Sequence, residues 1–133
     1  MVPEPVTAFQ NLAFKGAKSL TGVRLPPGLL QIPIYAFQGC SELRWIGVPA
    51  SVNSIGLYAF LGCSKLERAV FDGNAPTMGT SVFNNTAAGF AVYYFEDATG
   101  FSLPVWQGYP AVSMGSRTAS KEWLVAHELP HDS

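Results

Sequence analysis

The apolar positions of this chain recur with a period of 23 residues. Ala36-Phe37-Gln38-Gly39-Cys40-Ser41 returns as Ala59-Phe60-Leu61-Gly62-Cys63-Ser64. One period earlier stands Ala13-Phe14-Lys15-Gly16-Ala17-Lys18, and one period later Val82-Phe83-Asn84-Asn85-Thr86. Phe14, Phe37, Phe60 and Phe83 therefore share a column. Leu20, Leu43 and Leu66 form a second column, Val23, Ile46 and Ala69 a third, and Leu25, Val48 and Phe71 a fourth. The last two columns lie two residues apart, which is the spacing of one face of a strand. Pro26 and Pro49 end that strand in the first two periods. Pro27-Gly28 and Ala50-Ser51 mark bends into a return limb. That limb carries the columns Leu29/Val52, Ile32/Ile55/Met78 and Tyr35/Tyr58. The Ala-Phe-x-Gly-Cys block is too short for a stable helix and reads as a tight helical or 3₁₀ turn.

A period in the twenties predicts a solenoid. One turn of 23 residues cannot bury its own apolar face. A second turn stacked on it buries both faces and extends the sheet by one strand, about 4.8 Å away. Like residues then meet as ladders. Burying each phenylalanine of the column contributes roughly 1.5–3 kcal/mol.

The blocks Leu29–Cys40 and Val52–Cys63, joined by Leu-x-x-Ile-x-Val-Pro, resemble leucine-rich repeats of the BspA-like bacterial class. The resemblance covers about residues 6–95. It implies a leucine-rich-repeat solenoid in the β-rich α/β class, with about four turns of short parallel strands lining a concave side. The right-handed crossover rule for parallel strands agrees with the implied hand. Regular repeats are expected over about residues 6–73, with an atypical last turn and irregular C-terminal cap over 74–114. Phe90–Phe95 reads as a further aromatic strand. Solenoid ends need such an atypical unit to cover the last apolar edge. Residues 1–114 would make one domain. Residues 115–133 read as a polar linker and a short helix from Ser120 to Glu128, the opening of a truncated further module.

Composition narrows the function classes. Charged residues make up 13% of the 133, about half the usual share, and the net charge is −1. A basic footprint for nucleic acid is absent. No apolar run approaches the ~18 residues that span a bilayer. Met1-Val2-Pro3-Glu4-Pro5 is not a secretion signal, so any signal would lie upstream. Two cysteines do not make a disulfide framework.

Several constellations carry candidate chemistry. His127-Glu128-Leu129-Pro130-His131 matches H-E-x-x-H, in which two histidines hold zinc and the glutamate is the general base. Pro130 breaks the helix this chemistry requires, at about 3 kcal/mol, and the chain has no other histidine. The match reads as fortuitous, and no metal or cofactor is expected. Cys40 and Cys63 share a column, which admits either a disulfide or two thiols filling a small slot beneath the phenylalanines. Asn84-Asn85-Thr86 fits a glycosylation pattern that carries no meaning in a bacterial source. The strand positions pointing away from the core hold Arg24, Arg44, Trp45, Glu67, Arg68, Val70 and Tyr93. Trp45 and Arg68 fall one step apart, at cation–π range. An exposed tryptophan among arginines is the composition of a binding hot spot.

The expected function is a non-catalytic binding or scaffolding module of a secreted or cell-surface bacterial protein. It would contact a protein or glycan through the concave sheet face, without nucleic-acid binding or membrane insertion. The alternative is a structural spacer that self-associates through its ends. A metalloprotease built on the tail motif stands third.

Overall fold

The computed structural model describes residues 14–116. The helix expected over Ser120–Glu128 and the His127–His131 motif lie outside the described residues. Among the described residues, nine short strands form two sheets. The larger contains β1 (Gly22–Arg24), β3 (Trp45–Val48), β5 (Arg68–Phe71), β7 (Ala91–Tyr94), β9 (Tyr109–Ser113) and β8 (Val105–Trp106), adjacent in that order. The smaller contains β2 (Gln31–Ile32), β4 (Ser54–Ile55) and β6 (Thr77–Met78). From β1 to β7 the chain therefore alternates between the two sheets and advances one strand in each per turn. The smaller sheet, and the larger one as far as β7, keep the 23-residue register: Val23 pairs with Ile46, Ile46 with Ala69, Ala69 with Val92, Ile32 with Ile55 and Ile55 with Met78. Pairing throughout these turns is parallel, and the molecule is a β-solenoid of about four turns. The return limb, expected only as a limb, is itself a small sheet.

No helix forms among the described residues. The Ala-Phe-x-Gly-Cys block is a run of single turns, with N–H groups bonding three residues back, as in Gln38 N to Tyr35 O at 3.1 Å and Cys40 N to Phe37 O at 3.1 Å. Left-handed residues at both ends stop such turns from propagating. Tyr35, Tyr58 and Ser81 have φ of 59°, 57° and 54°. Gly16, Gly39 and Gly62 have φ of 70°, 74° and 77°, and Asn85 completes their column at 57°. Glycine adopts this region without penalty, and asparagine is among the few other residues that do so readily.

The core lies between the sheets. Phe37, Phe60, Leu43, Leu66 and Ile46 are fully buried, and Phe83 nearly so. The four phenylalanine rings stack with centroids 5.2, 5.1 and 5.3 Å apart. Beside them the backbone bonds from turn to turn: Phe14 N donates to Ala36 O, Phe37 N to Ala59 O and Phe60 N to Val82 O. This series ends at Phe83. Its N–H donates to the Tyr109 hydroxyl, at 3.2 Å, and that hydroxyl donates to Asn84 Oδ1 at 2.7 Å. A side-chain oxygen thus takes the place of the next turn's carbonyl. The Tyr109 ring packs edge-on against Phe83 and Phe90. Trp106 and Phe101 pack on Phe71, and Phe101 also stacks on Tyr94. The β8–β9 hairpin and the segment before it thereby lie over the apolar edge of the fourth turn.

Phe60→Ala should cost about 3–5 kcal/mol, since its cavity would open between two stacked rings. Tyr109→Phe should cost about 1–3 kcal/mol, the penalty of an N–H left without an acceptor. Urea unfolding monitored by circular dichroism checks both. Equal, negligible losses would refute the stacking account.

Candidate functional site

The outward face of the larger sheet brings the expected residues into rows. Register places Gly22, Trp45, Arg68 and Ala91 side by side. The next row holds Arg24, Gly47, Val70, Tyr93 and Val112. Strand alternation accounts for both rows: Val23, Ile46, Ala69 and Val92 between them point into the core.

Trp45 and Arg68 are neighbours in register, but no cation–π contact joins them. The Trp45 indole leans the other way, over Gly22, where a Cβ would collide with the ring. Absence of a side chain at Gly22 creates that seat. The cation over a ring lies elsewhere, with Lys15 Nζ 5.6 Å from the Tyr35 ring centre. Arg24 lies along Gly47 in ordinary van der Waals contact and reaches Asp72, two turns on, at 3.4 Å.

Val70, expected as an exposed contact residue, is buried at 7% exposure. Phe95 and Met114 cover it, and Trp45 and Tyr93 pack against the same cluster. From the sequence, Phe95 is expected only as the end of an aromatic strand, and Met114 has no assigned role. Both follow the ends of strands, where the 23-residue alignment no longer guided the reading.

Glu67, Arg68 and Tyr93 meet Ala87, Ala88 and Gly89 around an open groove of about 450 Å³. Omission of side chains makes this groove. Glu42 and Lys65 are paired across adjacent turns at 3.0 Å, and the next member of their column is Ala88. Leu43 and Leu66 stack in the adjoining column, which continues as Gly89, where a Cβ would meet nothing within 4 Å. Phe90 packs on Phe83 at 4.8 Å instead. Ala88 and Gly89 were missed as site residues, although their columns in the repeat alignment would have revealed two side chains cut away. Arg44 is exposed and does not line the groove.

Cys40 and Cys63 are free thiols. Each Sγ donates to a phenylalanine carbonyl of the preceding turn, Cys40 to Phe14 O and Cys63 to Phe37 O, both at 3.1 Å. The neighbouring Cys40 sulfur, and then burial, push the Cys63 thiol well above its ordinary pKa. Both side chains are fully buried. Among the described residues, no group of three His, Cys, Asp or Glu side chains could hold a metal ion. No described helix is long and apolar enough to cross a membrane.

Stacked turns of about 23 residues, each adding a parallel strand to an open sheet, make this a solenoid repeat protein. Residues 1–97 match the model of the BspA type leucine-rich repeat region, in six copies, and the chain belongs to this family. Comparison with curated proteins and with solved structures finds no match.

Neither cysteine of the native protein should react with a chromogenic disulfide reagent at pH 7–9, and both should react in denaturant. The unfolded chain releases the Cys63 proton near the ordinary thiol pKa of about 8.5, before the native state does. This contribution to stability is therefore complete below that pH and declines above it. Absorbance titration with and without guanidinium checks the reactivity. Urea midpoints at pH 7 and 10 check the sign.

Proposed function

We propose that the chain is a non-catalytic protein-binding module of a secreted or cell-surface bacterial protein, and that its ligand lies on the outward face of the larger sheet. Membership in a repeat family that commonly mediates protein binding or scaffolding supports the class. The observation that carries the location is the groove beside a packed aromatic cluster. Trp45 and Tyr93 are half-buried on Val70, Phe95 and Met114, so they offer rigid apolar surface at low entropic cost. Arg68 adds a directional donor next to them. Buried anchors of this composition carry most of the energy at protein interfaces. Extended open faces are the surfaces that solenoids use for binding.

Selection of a displayed random-peptide library on the immobilised protein tests this reading. Binders should be enriched, and Trp45→Ala combined with Arg68→Ala should weaken them by about 2 kcal/mol, roughly thirtyfold. Circular dichroism should show the variant folded. Failure to enrich any binder, or binders indifferent to the double substitution, would refute the proposed face. The second outcome would favour a spacer role for it.

A further inference from the structure

We infer that the groove between β5 and the 87–89 loop receives a single acidic side chain, Asp or Glu, on an extended segment of a partner protein. This rests on the reading that the face binds protein.

The first observation is a half-buried cation with no partner among the described residues. Of the other described cations, Arg24 pairs with Asp72, Lys65 pairs with Glu42 and Lys15 lies over the Tyr35 ring, while Lys18 and Arg44 are exposed to solvent. Arg68, half-buried at the groove, makes no hydrogen bond or ion pair among the described residues. A guanidinium with reduced access to water gains more from a carboxylate than an exposed one does.

The second observation concerns the opposite wall. The N–H groups of Ala88 and Gly89 are not engaged in any hydrogen bond among the described residues, while Ala87 N bonds to Leu66 O and Phe90 N to Ala87 O. The loop thus keeps two unbonded backbone donors in the wall of the groove that Arg68 also lines. Guanidinium and amide N–H groups together form a donor set suited to a carboxylate.

The third observation limits the ligand. Glu67 lines the same groove and its side chain also lacks a partner among the described residues. A polyanion would bring a second negative charge against it. One acidic residue between neutral ones would not, and a peptide N–H of the same segment would satisfy Glu67. Charge placement therefore favours a peptide over a uronic-acid chain or a nucleic acid.

The test compares library selections on the native chain and on Arg68→Gln. Gly89→Leu is the second variant. It fills the groove where a Cβ meets nothing and removes no charge. The native pool should be enriched several-fold in Asp and Glu relative to the input, with no enrichment on either variant. In titration calorimetry, replacing the acidic residue of the best peptide by its amide should weaken binding about tenfold or more. A strong pool without acidic residues, or an acidic pool unchanged by Arg68→Gln, would overturn the carboxylate assignment and leave the binding face standing. Tighter binding of a galacturonic-acid hexamer would reassign the groove to sugar acids. An empty selection would defeat the binding reading itself.

Discussion

The structure depends on one constraint: each turn must present its hydrogen-bonding groups where the previous turn's partners lie. Phe14, Phe37 and Phe60 each donate an N–H to the carbonyl before the next phenylalanine. This repeated bond holds the rings at 5.1–5.3 Å and forces like residues to face like. The other columns follow from it. Cysteines find the same carbonyl one turn back, tyrosines meet at the same left-handed corner, and glycine or asparagine occupies the same bend. No single turn could hold these geometries alone. Non-glycine corners with positive φ, such as Tyr35 and Tyr58, persist because neighbouring turns over-determine them.

Such a lattice leaves little freedom inside and much outside. Inward positions are limited to side chains that stack on their own kind. Outward positions are fixed in place by the same register but free in identity, and there the chain varies between turns. Two of its devices are omissions. Gly22 seats an indole, where a Cβ would collide with the ring. The Ala88-Gly89 pair, where earlier turns carry Glu42-Leu43 and Lys65-Leu66, opens the groove at Arg68. Shape on this face comes as much from missing side chains as from those present.

The sequence made the inner architecture legible because a repeat turns three-dimensional contact into column arithmetic. The four phenylalanines, the inward strand positions and the paired registers all follow from the period. The small sheet of β2, β4 and β6 was harder to foresee, since two-residue strands leave no alternation to detect. Side-chain direction was also beyond reach. Register put Trp45 beside both Gly22 and Arg68, but only steric room decided that it leans on Gly22. Val70 looked like any outward residue, and its burial depends on Phe95 and Met114, which arrive from strand ends that the period does not describe. The missed groove residues are of another kind. Ala88 and Gly89 carry no chemistry of their own, and attention to reactive side chains passes over residues whose role is to be small.

The even stacking of the phenylalanine rings has an evolutionary consequence. A tandem duplication of any 23-residue block within the regular turns would insert a further coil without disturbing the fit on either side. The new coil would lengthen the array by about 4.8 Å, one strand spacing. The groove beside the last turn would keep its local shape while moving that distance from the opposite end. Copy number can thus set a separation in fixed increments, independently of what the surface recognises.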